Sequence, residues 1–258
     1  MVDKKRADHY DGPAHDYLSY WDGRDYEHAA EEMAIRKLLG DNRYEHAVDV
    51  GGGYGRLSLL LRRFADRVTV AEPSRRQLDV AERYLAEHGH PEIERVQTQA
   101  DDLAFADGSV DLVTMIRVSH HLPTPAVEFA ELSRVLVRGG TAIVEVANVA
   151  HARNRLRYLV RREALPTAPI DIRSPENRND DEIPFVNHNP HVVIDQLAAV
   201  GLRTEQVLSV SNLRSATLKK LLPNRTLIGV ERFLQPVLAR HYFGPSIFLL
   251  LRKEHVTP

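Results

Sequence analysis

Short apolar runs alternate with stretches of helical periodicity along residues 26–147 of the chain. This alternation predicts strands at 46–50, 67–72, 93–100, 110–116 and 141–147, with helices at 26–39, 56–64, 75–87 and 124–137. Strands that alternate with helices in this way are typical of a parallel sheet that has helices on both faces.

Beyond residue 147 the pattern is less regular. Residues 148–190 contain one arginine-rich helix candidate, and a helix at 191–200 and a strand at 203–210 follow. Residues 211–245 form a second long insertion, with a helix predicted around 226–239, before a last strand at 246–252. Connections longer than about 12–15 residues are uncommon in compact domains unless they have a function. Both insertions are therefore candidates for a cap over a site.

The first predicted strand runs directly into a glycine-rich loop, Val48–Arg56, in which Asp49 precedes glycines 51, 52, 53 and 55. Glycine permits sharp turns and lets a ligand approach the backbone closely. The helix that follows presents free N–H groups at its N-terminus. Strand, glycine turn and helix together predict a nucleotide-type site. A dinucleotide fingerprint would need glycine or alanine where Arg56 stands, which argues against a nicotinamide oxidoreductase as the alternative.

Glu72 ends the second predicted strand, one strand–helix–strand unit after Asp49. An acidic residue in this place accepts hydrogen bonds from the hydroxyls of a bound ribose. Glu72 therefore predicts a ligand that contains adenosine.

The composition restricts the class of protein without naming a function. The chain has 258 residues, of which 43% are hydrophobic and 27% are charged, as in ordinary globular domains. Its net charge of −2 gives no global reason to expect a nucleic-acid or membrane partner. No run of about 18 apolar residues is present, and the N-terminus is polar, so a cytoplasmic location is expected. The absence of cysteine excludes disulfides, a thiol nucleophile and a thiolate metal site.

A series of ordered segments resembles the motifs of class I S-adenosylmethionine (SAM) dependent methyltransferases of the small-molecule "type 11" kind. The glycine loop resembles their first motif, and residues 99–113 resemble the string that precedes and enters their fourth strand. The run HHLPTPAVEFAELSRVLVRGGTAIVEV, which starts at His120, resembles the segment that follows. The resemblance covers Val48–Val146. It implies an α/β, doubly wound, Rossmann-like sheet of seven mostly parallel strands with an antiparallel last strand.

The same resemblance implies SAM as the cofactor and assigns residues to it. Contacts are expected from the loop, from a ribose acceptor, from the turn after the third strand, from the end of the fourth strand and from an N-terminal tyrosine. These residues are Asp49, Gly51, Gly52, Gly53, Gly55, Glu72, Gln99, Ala100, Asp101, Ile116, Arg117 and Tyr17. Gln99 stands where the family has an adenine-binding aspartate, so Asp101 is the alternative contact.

His120 and His121 follow the fourth strand, near the methyl end of the cofactor in this fold. Histidine serves as a general base near neutral pH, which makes this pair the catalytic candidates. The pair also occurs in the family as a structural element. His188, His191 and Asp195 are ordinary loop and cap residues, and no metal site is expected.

The domain organisation expected from these patterns has two parts. Residues 1–40 form an N-terminal lid and helix, and residues 41–258 form the methyltransferase domain with cap insertions at about 148–190 and 211–245. The lid and both insertions are expected to enclose a space that Tyr17, His120 and Arg117 face.

The leading interpretation is methyl transfer to oxygen, nitrogen or carbon of a small molecule. One alternative uses the basic face Arg153–Arg162, on which residues 153, 157 and 161 share i, i+4 spacing, to bind RNA or protein as the substrate. The same face is otherwise a solvated surface. A further alternative is a SAM-binding module without catalysis.

Overall fold

A computed structural model describes residues 19–174, 178 and 184–254 of the chain. Its strands are β1 (Tyr44–Val50), β2 (Ala65–Glu72), β3 (Glu94–Gln97), β4 (Val110–Met115), β5 (Leu136–Ala147), β6 (Ile170–Asp171), β7 (Val186–Asn187), β8 (Leu202–Val210) and β9 (Ser246–Lys253). Its helices are α1 (Asp25–Leu39), α2 (Ser58–Leu61), α3 (Arg75–Glu87), α4 (Ala126–Val135), α5 (Ala152–Arg161), α6 (Pro190–Ala199), α7 (Ala216–Leu221) and α8 (Asn224–Ala239).

Seven strands form one sheet in the order β3-β2-β1-β4-β5-β9-β8. The pairs from β3 through to β5 are parallel, whereas β9 is antiparallel to both of its neighbours. This arrangement confirms the predicted fold class. The strand order reverses between β1 and β4, and open α/β sheets bind ligands at the carboxyl ends of the strands at such a switch point.

Apolar side chains fill both faces of the central strands. Val48 and Val113 lie in the core on one face of the sheet, Ala47 and Leu112 lie in the core on the other, and all four are fully buried, as expected of parallel strands that are covered on both sides. One core cluster joins the sheet to α1, α2, α3 and their loops, and the other joins it to α4 and α6. The second insertion contributes to the first of these faces, because α8 packs on β8 and on α1.

Three elements differ most from the predicted ones, while most other boundaries shift by one or two residues. The helix predicted at 56–64 is reduced to α2, because the chain tightens through a bond from the Phe64 N–H to the Leu61 carbonyl before β2 begins. The strand predicted at 93–100 ends at Gln97, where a turn takes over. β5 begins at Leu136, and its register against β4 shifts between Val110 and Leu112, which is how a strand accommodates internal glycines. Within the described ranges, no helix has the length and apolar character needed to cross a membrane.

Candidate cofactor site

The glycine loop after β1 has a left-handed backbone at three positions. The φ angles are +67° at Gly51, +55° at Gly53 and +85° at Gly55. A Cβ at Gly51 would lie 2.3 Å from Cγ2 of Val118, and one at Gly55 would lie 3.0 Å from Cδ2 of Leu85. Glycine is thus required both for the turn and for close packing by the protein itself.

Asp49 anchors the loop from beneath. Its carboxylate accepts hydrogen bonds from Ser58 Oγ at 2.7 Å and Thr114 Oγ1 at 2.8 Å. Burial raises the pKa of the Asp49 carboxyl, while these two hydrogen bonds act in the opposite direction. Asp49 therefore ties the loop to β4 and to α2, in addition to lining the cavity above it.

Glu72 joins the end of β2 to the same loop. One carboxylate oxygen accepts the Gly53 N–H at 2.9 Å, and the other accepts the Ser74 N–H at 3.2 Å. A carboxylate has about four acceptor sites, and this one stands at the strand end beside the loop. The chemistry of the site therefore fits a ribose whose hydroxyls donate hydrogen bonds.

The predicted adenine contacts lie in the turn after β3. The Asp102 N–H donates to the Gln99 carbonyl at 3.3 Å, and Thr98 Oγ1 donates to the Asp102 carbonyl at 2.7 Å. The Gln99 and Asp101 side chains are exposed, and Ala100 is half-buried. The turn follows the strand next to β2, so it lies at the same edge of the sheet as Glu72.

Four side chains form a compact group at the mouth of the loop, which we call the mouth cluster: Trp21, Glu31, Arg56 and Arg117. The Glu31 carboxylate, on α1, binds Arg56 Nη2 at 2.5 Å and Arg117 Nε at 2.7 Å. The Trp21 ring lies 3.5 Å from the Arg56 guanidinium carbon and 4.8 Å from that of Arg117. One buried carboxylate thus bridges two guanidinium groups under an aromatic cover, and the three groups keep a formal net charge of +1.

Arg117 has an unusual backbone for its residue type. Its φ is +61°, a conformation that costs a non-glycine residue on the order of 1–2 kcal/mol. The Arg117 N–H donates to the Glu145 carboxylate at 3.2 Å, and Ser246 Oγ donates to the same carboxylate at 2.7 Å. Burial raises the pKa of Glu145. Backbone strain that the surroundings maintain is a recurrent property of functional sites. Here it directs the Arg117 side chain towards Glu31.

The space over the loop is small in this conformation. The cavity has a volume of about 20 Å³, which is room for one or two water molecules. Its lining residues are Asp49, Gly51, Gly52, Tyr54, Arg56, Leu57, Ile116 and Arg117. Among the residues described, none accepts a hydrogen bond from the buried indole N–H of Trp21. The donors and acceptors suit SAM, but the mouth cluster must move before a molecule of that size enters.

The histidine pair lies beside this cavity rather than in its lining. His120 is buried, with its ring 4.0 Å from that of His121 and 4.3 Å from that of Phe185. Burial lowers the pKa of His120 well below its ordinary value, and the charges of His121 and Arg117 lower it further. His120 is therefore neutral at pH 7, which allows it to accept a hydrogen bond but makes it a weak base.

Other predicted residues are placed elsewhere. Tyr17 lies outside the described residues. His188 contacts the Ser119 carbonyl at 2.9 Å through Nε2, and His191 packs its ring on Tyr242. Neither joins the cavity.

Two acidic residues at the site are not predicted from the sequence. Glu31 and Glu145 are both almost fully buried. A signal was present for each, since Glu31 shares a helix face with Ala34, Ile35 and Leu38, and Glu145 interrupts the apolar run of β5. An acid at a core-facing position needs a partner, and that partner marks a site.

Residues 48–144 match the family described as a methyltransferase domain. The chain is 34% identical over 115 residues to a demethylmenaquinone methyltransferase of Clavibacter sepedonicus, covering 45% of this chain and 44% of that protein. It is 26% identical over 111 residues to an uncharacterised methyltransferase of Bacillus subtilis, covering 43% and 44% respectively. The chain thus spans less than half the length of the curated relatives that it matches.

The fold extends the likeness beyond this segment. A SAM-dependent methyltransferase of Thermotoga maritima, described as a possible histamine N-methyltransferase, superimposes with a TM-score of 0.62 at 18% identity. That superposition covers 92% of this chain and 94% of the other. Residues 48–144 thus form a methyltransferase domain, and the sheet that carries this domain has the fold of class I SAM-dependent methyltransferases.

Proposed function

We propose that the chain transfers a methyl group from SAM to a small-molecule acceptor. The observation that carries this proposal is the junction of Glu72 with the glycine loop, where a buried carboxylate meets the Gly53 N–H at the carboxyl end of β2. A ribose-accepting carboxylate and a left-handed glycine loop stand side by side at the switch point of the sheet.

Different residues are proposed to bind different parts of the cofactor. Glu72 accepts the ribose hydroxyls, and the turn at residues 99–101 receives the adenine. When bound, SAM supplies an electrophilic methyl group on a sulfonium sulfur. Arg56 and Arg117 already hold a carboxylate, that of Glu31. We propose that the carboxylate of the cofactor's amino-acid portion exchanges for Glu31 at one of these guanidinium groups.

An enclosed mouth favours a small acceptor. Alignment of donor and acceptor and exclusion of water supply most of what an in-line displacement requires. Trp21 covers the guanidinium pair, and His120, His121 and Phe185 form an aromatic wall next to Arg117. In this proposal His120, which is neutral, orients the acceptor by accepting a hydrogen bond. His121, which is half-buried, is the proton acceptor for substrates that must lose a proton.

The names of two similar proteins support a small acceptor. One is a demethylmenaquinone methyltransferase and the other a possible histamine N-methyltransferase. The second name specifies a nitrogen acceptor and the first specifies no atom, so the proposal stops at the substrate class.

A thermal-shift panel of SAM, S-adenosylhomocysteine, NADH and NADPH tests the proposal. A ligand that binds only the native state raises the melting temperature, so we expect both sulfur compounds to stabilise the protein and neither nicotinamide to do so. Glu72→Gln serves as the matched variant, since it keeps one acceptor oxygen and loses the charge; its shift should be smaller. Stabilisation by NADH alone would overturn the proposal.

A further inference from the structure

Helix α5 has its apolar side turned away from the protein. Leu156, Leu159 and Val160 are 62%, 73% and 75% exposed, and none of the helix's residues is buried. Surface helices ordinarily bury their apolar stripe against the core. Three large exposed aliphatic side chains on ten residues of helix are therefore an interaction surface rather than a packing one.

Polar groups hold the opposite side of α5 to the protein. Asn154 Nδ2 donates to the Val149 carbonyl at 3.0 Å, and Arg155 donates to the carbonyls of Ala150 at 2.6 Å and His241 at 2.8 Å. The Arg155 guanidinium also lies over the Phe243 ring. These contacts fix the orientation of the helix, so the outward position of its apolar stripe is built into the fold.

Basic charge surrounds the exposed stripe. Arg153, Arg157 and Arg161 recur at i, i+4 spacing and are exposed, next to Leu156 and Val160 on the helix surface. Residues 151–162 contain five arginines and no acidic residue. An apolar stripe flanked by arginines matches the chemistry of an anionic lipid surface, which offers apolar chains beneath negative headgroups.

We propose that α5 is a docking surface for an anionic membrane, on which the helix lies in the interfacial plane with Leu156, Leu159 and Val160 inserted. A second copy of the chain is a poorer occupant, because a symmetric contact through α5 would bring the two arginine sets together. RNA is also a poorer occupant, because its phosphates use the arginines and leave the aliphatic stripe uncovered. The net charge of −2 hides this local concentration of positive charge.

The position of α5 relates the docking surface to the site. The helix begins five residues after the carboxyl end of β5, which is the same edge of the parallel sheet that carries the glycine loop. A membrane contact at α5 therefore brings the cofactor edge, rather than the opposite edge, near the lipid.

Vesicle sedimentation tests the proposal directly. The probes are vesicles of equal parts phosphatidylcholine and phosphatidylglycerol, with pure phosphatidylcholine vesicles for comparison. We expect the full chain to sediment with the anionic vesicles and not with the neutral ones, and to be partly released by high salt. Absence of sedimentation with anionic vesicles, or equal sedimentation with neutral ones, would overturn the proposal.

Two variants separate the apolar and the charged contributions. The triple change Leu156→Asn, Leu159→Asn and Val160→Asn should weaken anionic-vesicle binding at least about tenfold. The triple change Arg153→Gln, Arg157→Gln and Arg161→Gln should weaken it on the order of tenfold to a hundredfold. Both sets alter exposed side chains, and circular dichroism checks that each variant is folded.

Matched controls lie on other helices. Val127→Asn removes an aliphatic side chain that is 59% exposed on α4, and the triple change of Arg75, Arg76 and Arg83 on α3 to glutamine removes the same charge as the α5 variant. Neither should change vesicle binding, and an equal loss in these controls would contradict a localised surface. Two further outcomes would also overturn the proposal: a dimer in light scattering that only the asparagine variant abolishes, or RNA binding that only the glutamine variant abolishes.

Discussion

Helices α1 and α5 depart from the usual surface pattern in opposite ways. α1 turns charged groups inward, with Glu27 and Glu31 almost fully buried, whereas α5 turns aliphatic groups outward. Each inward charge on α1 has a cationic partner, since Glu27 binds Lys219 at 2.9 Å and Glu31 binds two arginines. The exposed aliphatic side chains of α5, in contrast, are not covered by any of the described residues. The difference teaches two things. A buried charge that has a partner inside the protein marks a functional site, whereas exposed apolar side chains without cover mark an interaction surface.

Removal of the Glu31 carboxylate should give the largest effect. Glu31→Ala removes the carboxylate that Arg56 and Arg117 both bind, and breaking a buried ion pair in this way costs about 3–5 kcal/mol. We expect the melting temperature of the unliganded protein to fall on the order of 10 °C. The adjacent Glu32, whose pair with Arg36 is 3.4 Å long and partly exposed, is the matched control: Glu32→Ala should cost less than about 1 kcal/mol. An equal fall in melting temperature in the two variants would contradict the difference proposed between the two sides of α1.

Ligand affinity tests the role of the glycine loop, which lies next to α1. Glu72→Ala removes the acceptor proposed for the ribose, and hydrogen bonds to a charged group are worth about 1.5–3 kcal/mol. Affinity for S-adenosylhomocysteine, measured by calorimetry, should therefore fall roughly tenfold to a hundredfold. Glu94→Ala, which removes an acid from the neighbouring strand β3, should leave the affinity unchanged. Undiminished binding by Glu72→Ala would separate this carboxylate from the cofactor.

A fall in pH should lower the free energy of unfolding, because several histidines are buried. An unfolded histidine titrates near pH 6.5, and burial lowers the pKa of His120 in the native state. The unfolded state then binds more protons between the two pKa values, so this contribution to stability is complete above about pH 6.5 and is lost as the pH falls. The pKa values of His28, His46, His151 and His188 are lowered by burial as well and act in the same direction. The melting temperature should fall between about pH 7.5 and pH 5.5, and by less in His120→Gln. Identical falls in the two proteins would contradict the assignment to His120.

The smallest effect on stability is expected at α5. The triple asparagine variant at positions 156, 159 and 160 changes only exposed side chains, and such substitutions usually alter stability by less than about 0.5 kcal/mol each. Its melting temperature should stay within a few degrees of the parent protein, in contrast to Glu31→Ala. A large fall would mean that the stripe packs against the protein after all.

The sequence predicts the backbone of the site better than its side-chain contacts. Gly51, Gly53 and Glu72 follow from spacing within one strand–helix–strand unit. In the structure the Gly53 N–H binds Glu72, and the Gly51 N–H binds the Ala71 carbonyl beside it. The pattern of the sequence does not predict the mouth cluster, because Glu31 reaches Arg56 and Arg117 across 25 and 86 residues of chain. Local periodicity contains no information about such distances.

The same limit applies to helix orientation. The arginine-rich helix was predicted to exist and to present Arg153, Arg157 and Arg161 together, and both features are present. The orientation of its apolar side is not predicted. It depends on Asn154 and Arg155 binding the carbonyls of Val149 and Ala150, and on Arg155 reaching the carbonyl of His241, 86 residues away. The strand boundary at Gln97 has a local cause, since Thr98 Oγ1 donates to the Asp102 carbonyl four residues on, and the apolar pattern of residues 93–100 does not indicate this turn.

The contact between Val118 and Gly51 has a mechanical consequence. One methyl group of Val118 occupies the space that a side chain at Gly51 would need, so the loop after β1 and the turn after β4 interlock. Two interlocked segments resist separation, and the sheet side of the cavity therefore behaves as a fixed wall. Entry of a nucleoside therefore requires movement on the other side of the cavity. There Trp21 and the first turns of α1 contact the side chains of Arg56 and Arg117, which can change rotamer.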